Sequence, residues 1–192
     1  SGAADAISPA LLVLARGTSL THVWTNELCG LSFRLGIDRY LKWTPKGSTL
    51  PSLEVERERL SWARRYVAVP EVLEVGADEH GEWMITRAMD GENAVTDFHK
   101  ADPLRTVTVL GQSLRSLHDA LPVEQCPFDW SIDLRMAAVD RTKSAEWAKR
   151  HGQNRTGYSV QDPLAVLDAP PSIDALVVCH GDACAPNTLI NA

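Results

Sequence analysis

The first half of the chain alternates apolar and polar residues in short segments. This period of two runs through residues 22–28, 30–36 and 39–43, which are separated by the turn sequences CG and GID. It returns in residues 71–78 and 81–89, around the polar sequence DEHG. The pattern predicts a three-stranded antiparallel meander followed by two further strands.

Helical patterns first interrupt these strands and then follow them. Residues 53–66 are rich in charge and contain no Gly or Pro, which predicts a helix that ends before Pro70. Over residues 105–119, apolar side chains recur at intervals of three and four, so a second helix would bury one stripe. A third helix is predicted over residues 131–150, and residues 151–172, which include Gly, Asn and Pro, are predicted to form a loop.

The change of period predicts an α+β protein with a sheet-based lobe over residues 1–89 and a helical lobe over residues 90–192. The chain contains no apolar run near the ~20 residues that span a bilayer, so no membrane segment is expected. Its four cysteines lack C-x-x-C spacing, which favours a reduced, cytoplasmic protein. The net charge of −6 disfavours nucleic acid as a partner and suits a cationic small ligand, and the alternative is an ordinary solvated surface.

The sequence VVCHGDACAPNTLI holds the strongest candidate for chemistry. In it, His180, Asp182 and Asn187 have the H-x-D-x-x-x-x-N spacing of a protein-kinase catalytic loop. Phosphoryl transfer needs one carboxylate at the attacking oxygen and another oxygen ligand near the phosphates, and this spacing places both together. Apolar residues 174–178 and 187–191 are predicted as flanking strands. The alternative is a plain turn in which His180 caps a strand.

Phosphoryl transfer also needs groups that hold the phosphates, and the candidates for these lie in the first third of the chain. Lys42 lies on a predicted strand between two large apolar residues, so its side chain points to the opposite face. The following helix offers three glutamates that could hold this lysine: Glu54, Glu56 and Glu58. The small residues of segment 15–24, Ser19 among them, predict a phosphate-covering loop between the first strands. The alternatives are a solvent-facing lysine, surface charges and an ordinary turn.

Several of these stretches together resemble the aminoglycoside phosphotransferase family, most closely its 3′-phosphotransferase (kanamycin kinase) group. The resemblance lies in VVCHGDACAPNTLI, LRSLHDALPVEQCPFD and YLKWTP with VERERLSWARRYVAVPEVLEVG, and it extends from about residue 17 to the end. It implies a two-lobed, protein-kinase-like fold whose helical lobe is incomplete in this chain. It also implies ATP-dependent, Mg²⁺-assisted phosphorylation of a hydroxyl group of a cationic aminoglycoside, and hence antibiotic resistance.

The resemblance assigns roles to the residues of the catalytic loop and the phosphate site. Asp182 is similar to the catalytic aspartate, and Asn187 to a Mg²⁺ ligand. Lys42 would contact the α- and β-phosphates. Glu56 is the better match for the glutamate that holds this lysine, and Glu58 is the second choice.

The resemblance also implies contacts to the rest of the nucleotide. Ser19 matches a serine of the nucleotide-positioning loop. Arg87, Ala88 and Met89 match the linker whose backbone holds adenine, a role that needs only N–H and C=O groups. His180 would orient the catalytic loop by hydrogen bonding rather than act as the base.

Two departures from the family pattern leave alternatives open. The family continues to an Ile-Asp-x-Gly-Arg stretch that supplies a metal-binding aspartate, whereas this chain ends at Ala192, so weak Mg²⁺–ATP binding is expected of it. Residues 146–162 are of mixed charge where the family presents acidic residues to the drug. The alternatives are a kinase for a macrolide, choline or a sugar amine, and a nucleotide-binding module without catalysis. A metal hydrolase built on His180 and Asp182 lacks a second cluster of ligands.

Overall fold

The computed structural model describes residues 9–137, residue 172 and residues 175–191. The helices in these ranges are α1 Pro9–Ala15, α2 Leu53–Ala63, α3 Asp97–Ala101, α4 Pro103–Ala120 and α5 Ile132–Ala137. The strands are β1 Leu20–Thr25, β2 Leu31–Leu35, β3 Arg39–Pro45, β4 Val72–Ala77, β5 Gly81–Arg87, β6 Glu92–Asn93 and β7 Leu189–Ile190. Short 3-10 turns cover Val123–Gln125 and Ala185–Asn187.

Strands β1 to β5 form one antiparallel sheet in the order β1-β2-β3-β5-β4. This is the predicted meander extended by the predicted pair of later strands. At one end of the sheet the register aligns Leu20, Leu35, Arg39 and Arg87. Nearer the other end it aligns Leu31 with Trp43 and Trp83. The chain leaves the sheet after Arg87, so the linker that follows begins at the first of these ends.

The two faces of this sheet pack against different helices. One face forms a core with α1 through the buried residues Leu11, Ala15, Phe33, Leu35, Leu41 and Ile85. Because successive strand residues point to opposite faces, Lys42, Glu82 and the buried Met84 lie on the other face, where α2 binds. The sequence pattern did not predict α1, because seven almost wholly apolar residues are too few to show a helical period.

Helix α2 begins where the sequence predicts. Ser52 Oγ accepts the N–H of Glu54 at 3.2 Å, and Glu54 and Glu56 lie in the first turn, where the helix dipole favours negative charge. The helix ends at Ala63 rather than at residue 66. The N–H of Tyr66 bonds instead to the Ala63 carbonyl at 2.9 Å, which closes a turn there.

The predictions for the last third of the chain have mixed outcomes. The predicted strand over 174–178 is wrong at its described residues, 175–178, which pair with no strand in the described part of the chain. The predicted strand over 187–191 is limited to β7, because β6 offers it a partner of only two residues. The predicted helix over 131–150 is described only as far as the end of α5. The rest of it, and all of the predicted loop 151–172 except residue 172, lie outside the described residues.

The chain forms two compact units. One consists of Ser1–Leu121 with Cys179–Ala192, and the other of Pro122–Val178. The first unit contains the sheet, α2 and the segment with Asp182 and Asn187, so it holds every predicted site residue. The predicted lobe boundary at residue 89 stays a prediction. In the described ranges, no helix combines the length and the apolar character needed to cross a membrane.

Candidate active site

Lys42 and Glu56 form an ion pair between the sheet and α2. Lys42 Nζ donates to Glu56 Oε2 at 2.5 Å. The two side chains keep 41% and 37% of their surface exposed, so the lysine remains open to a ligand. The other two candidate glutamates are placed elsewhere: Glu54 pairs with Arg57 at 2.6 Å, and Glu58 is exposed. The structure thus joins Lys42 to the glutamate that the family resemblance favoured.

The three predicted linker residues, of which Arg87 ends β5 and Ala88 and Met89 follow it, differ in what their backbone groups can still bind. The N–H of Arg87 donates to the Glu71 carbonyl, and the N–H of Ala88 donates to the Asp38 carbonyl, both at 2.8 Å. Among the described residues, no acceptor reaches the N–H of Met89. Of the three linker N–H groups, that of Met89 is therefore the one available to a ligand.

The Arg87 side chain binds Glu71, as the Arg87 backbone does. Its Nε donates to Glu71 Oε2 at 2.9 Å. This hydrogen bond, followed by the charge of Arg64, lowers the pKa of the Glu71 carboxyl from its ordinary value. The same contact raises the pKa of the Arg87 guanidinium. The start of the linker is thus fixed through both main chain and side chain.

Ser19 lies away from the position that the sequence predicts for it. It directly precedes β1, and its carbonyl accepts the N–H of Gly36 at 2.8 Å, at the end of the sheet where Arg39 and Arg87 align. The predicted covering loop over 15–24 is therefore wrong, because much of that segment is β1 itself. Strand β1 covers residues 20–25, whereas the predicted strand covers 22–28.

The turn between the first two strands is formed by residues 26–30. Asn26 Oδ1 accepts the N–H of Gly30 at 2.7 Å, which folds the turn. Lys42 pairs across the sheet with Ser32, two residues after Gly30, so this turn lies at the lysine end of the sheet. The sequence predicts a turn at Cys29 and Gly30, and the structure extends it back to Asn26, within the predicted strand 22–28.

Tyr40 is a further residue of this face that the sequence did not single out. It lies two positions from Lys42 on β3, hence on the same face, and it pairs with Thr86 next to the linker. Its side chain is 37% exposed. An aromatic ring in this position offers a flat apolar surface to a planar ligand.

Asp182 and Asn187 contact each other within the predicted catalytic loop. Asn187 Nδ2 donates to Asp182 Oδ2 at 2.6 Å. His180 Nδ1 accepts the N–H of Asp182 at 3.3 Å, which is the kind of contact that a loop-orienting role requires. The Cys184 N–H bonds to the Asp182 carbonyl at 2.9 Å and closes the loop between them. The loop thus presents a carboxylate and an amide side by side.

These two side chains supply oxygens that suit a magnesium ion. In the part of the chain that the structure describes, no donor reaches Asn187 Oδ1, and Asp182 is exposed. The described ranges contain no group of three or more His, Cys, Asp or Glu residues that could enclose a metal. Mg²⁺ is commonly bound by one or two protein oxygens together with substrate phosphates and water. The residues present fit that kind of binding.

Asn93 fastens the loop to the segment that follows the linker. Its Nδ2 donates to the Pro186 carbonyl at 2.6 Å, and the N–H of the next residue, Ala94, donates to the Thr188 carbonyl at 3.0 Å. Strands β6 and β7 pair beside these bonds. The sequence carries no local signal for this role of Asn93, because the Pro186 carbonyl that it binds lies 93 residues further along the chain.

Comparison with known proteins places the chain in a family. The profile of the phosphotransferase enzyme family matches residues 30–192. The chain belongs to this family. It is 32% identical over 158 residues to an aminoglycoside 3′-phosphotransferase of Streptomyces fradiae, an alignment that covers 79% of this chain and 59% of the relative. The predicted family is thereby confirmed, and the chain spans less than two thirds of the length of this curated relative.

Solved structures of family members share the fold. The crystal structure of an aminoglycoside-3′-phosphotransferase of type VIII matches with a TM-score of 0.68 and 29% identity, over 95% of this chain and 70% of that chain. The aminoglycoside phosphotransferase APH(3″)-Id of Streptomyces rimosus, in complex with ADP and streptomycin, matches with a TM-score of 0.65 and 25% identity, at the same coverage of 95% and 70%. The predicted α+β, kinase-like fold is confirmed.

Proposed function

We propose that the whole protein transfers the γ-phosphoryl group of ATP to a hydroxyl group of an aminoglycoside. The observation that carries the proposal is the contact between Asp182 and Asn187, in the same compact unit as the Lys42–Glu56 ion pair. These are the two halves of a phosphoryl-transfer site. The similarity to a family member solved with ADP and streptomycin supports both the nucleotide and the class of acceptor.

The nucleotide is proposed to lie along the Lys42 face of the sheet, from the linker to the turn at 26–30. Adenine would accept a hydrogen bond from the free N–H of Met89 and donate to the carbonyl of Arg87. The Ala88 N–H is already used. The Tyr40 ring would stack against the base. Lys42 would hold the α- and β-phosphates, and the β1–β2 turn, rather than the segment with Ser19, would cover them.

The reaction depends mainly on positioning and charge. Asp182 would orient the acceptor hydroxyl and accept its proton as the acceptor oxygen bonds to the γ-phosphorus and the bond from that phosphorus to the bridging oxygen breaks, which releases ADP. Asn187 would hold Mg²⁺, which supplies positive charge to the phosphate oxygens when bound. His180 keeps the backbone of Asp182 in place through its ring nitrogen. The acceptor is expected to be cationic, which suits a chain of net charge −6.

The test is ADP formation by the full-length protein with Mg²⁺–ATP and a panel of kanamycin, streptomycin, choline and a macrolide. We expect aminoglycoside-dependent turnover that falls about 10²–10⁴-fold in Asp182→Ala. Asp97→Ala, which removes an exposed aspartate on α3, is the matched control and should retain turnover. Analysis of the product identifies the phosphorylated hydroxyl.

Three other outcomes of this test would contradict the proposal or favour a different function. Unchanged turnover in Asp182→Ala would contradict the assigned role. Turnover with choline or the macrolide alone would favour a metabolite kinase. Nucleotide binding without acceptor-dependent turnover would favour a binding module.

A further inference from the structure

A carboxylate from the sheet holds the start of helix α2. Glu82 Oε2 accepts the hydroxyl of Ser52 at 2.7 Å and the N–H of Leu53 at 2.9 Å. Ser52 Oγ in turn accepts the N–H of Glu54 at 3.2 Å. The first N–H groups of a helix have no partner within the helix. Glu82 therefore satisfies one of them directly and fixes the hydroxyl that satisfies another.

This contact lies on the same face of the sheet as Lys42. Glu82 pairs with Thr44 across β3 and β5, and Lys42 pairs with Met84, so the two charged residues are diagonal neighbours. Glu56 follows Leu53 by three residues, which keeps it within the first turn of α2. The first turn thus contacts this face twice, through Glu82 at its start and through Lys42 three residues further on.

The Glu82 contact and the Lys42–Glu56 ion pair differ in how strongly they hold the helix. The Lys42–Glu56 pair is partly exposed, with side-chain exposures of 41% and 37%, and a pair of that kind fixes a helix weakly. The Glu82 carboxylate accepts two hydrogen bonds on one oxygen, and its charge lies at the positive end of the helix dipole. The backbone it holds is anchored further by Leu53, whose side chain is 1% exposed. Glu82 is the tie that sets where α2 begins.

We propose that Glu82 is a positioning residue for nucleotide binding: it fixes the start of α2 and so keeps Glu56 beside Lys42. Glu82 touches neither nucleotide nor acceptor in this arrangement. The nucleotide part of the inference rests on the proposed function, whereas the hold on α2 does not.

The experiment uses the full-length protein with Glu82→Ala, Glu82→Gln and the control Glu79→Ala. Glu79 lies in the β4–β5 turn with its side chain 82% exposed. We measure amide hydrogen exchange over residues 51–58 and the affinity for Mg²⁺ with a non-hydrolysable ATP analogue. Glu82→Ala should speed exchange at the start of α2 and weaken nucleotide binding about threefold to tenfold. Glu82→Gln, which keeps an acceptor without the charge, should fall between, and Glu79→Ala should change neither quantity.

Repeating the measurements in a Glu56→Gln variant distinguishes a positioning role of Glu82 from a general loss of structure. In Glu56→Gln, adding Glu82→Ala should still speed exchange but should hardly weaken nucleotide binding further, because Glu82 acts through Glu56. An equal loss of affinity in both backgrounds, or unchanged exchange in Glu82→Ala, would overturn the proposal. A wild-type protein that binds no nucleotide would overturn the proposed function and the nucleotide role together, and the exchange measurement would still decide whether Glu82 holds α2.

Discussion

Lys42 Nζ lies 2.5 Å from Glu56 Oε2, an ion pair that joins the central strand β3 to the first turn of α2. Both side chains are partly exposed, and an exposed ion pair contributes only ~0–1 kcal/mol to folding. The contact therefore matters less for stability than for where the lysine ammonium is held. Substitutions at Lys42 can therefore be tested separately for their effect on folding stability and on ligand binding.

Replacing Lys42 should affect ligand binding far more than folding. Lys42→Ala removes the cation proposed to hold the phosphates, so nucleotide affinity should fall by about tenfold or more, with little change in Tm. Lys46→Ala, one strand position beyond β3 and exposed, is the matched control. Calorimetric titration with nucleotide gives the affinity and thermal unfolding gives Tm. An equal loss of affinity in the control would argue against a specific phosphate site.

Asn187 should govern the requirement for magnesium. Asn187→Ala removes the amide oxygen proposed as a ligand together with the 2.6 Å contact to Asp182. The Mg²⁺ concentration for half-maximal turnover should rise about tenfold, an effect in the range seen when metal-site partners are removed. A magnesium titration of the full-length variant measures this. Turnover with an unchanged magnesium dependence, in a variant whose circular dichroism matches the wild type, would remove Asn187 from the metal site.

The sheet, the face on which Lys42 lies and the helix that carries its partner were predictable because their signals are local, whereas the choice of Glu56 among three glutamates came from the family resemblance. Alternation places Lys42 on the face opposite to Leu41, and a charged segment without Gly or Pro indicates the helix that carries Glu56. The spacing of His180, Asp182 and Asn187 likewise predicts a catalytic loop, with a plain turn as the alternative. Each of these signals depends on side chains within a few residues of one another.

The errors arose where a partner distant in the sequence decides the structure. The small residues around Ser19 predict a covering loop, but such residues occur equally in a loop and before a strand, and only the pairing of β1 with β2 distinguishes the two. Residues 175–178 have the apolar character of a strand but no strand to pair with among the described residues. Asn93 and Glu82 act on segments far along the chain, which no local pattern reveals.

The ion pair between Glu71 and Arg87 predicts a pH-dependent contribution to stability. Its hydrogen bond holds the pKa of the Glu71 carboxyl below the ordinary value of 4.5, so the folded state binds this proton less readily than the unfolded state. The stabilisation is present above pH 4.5 and is lost as the pH falls through the lowered pKa. Glu71→Gln should therefore lower Tm near neutral pH, and the difference from wild type should shrink in acid.

Thermal unfolding of both proteins across this pH range tests the contribution of Glu71. Glu79→Gln is the control, because its exposed carboxylate lies 3.6 Å from His80 rather than in contact with the linker. A Tm difference for Glu71→Gln that stays constant into acid would mean that lost packing, not the carboxylate charge, causes the change.

Asn93 should determine how firmly the catalytic loop is held. Asn93→Asp keeps the oxygen that accepts the Val95 N–H at 2.9 Å but loses the donor to the Pro186 carbonyl, whereas Asn93→Ala loses both bonds. We expect each variant to lower stability by about 1 kcal/mol per lost hydrogen bond and to speed amide exchange over residues 180–191. Asn191→Ala, an exposed change next to β7, is the control. If Asn93→Asp exchanges like wild type, the bond to Pro186 does not hold the loop, and the β6–β7 pairing alone must position Asn187.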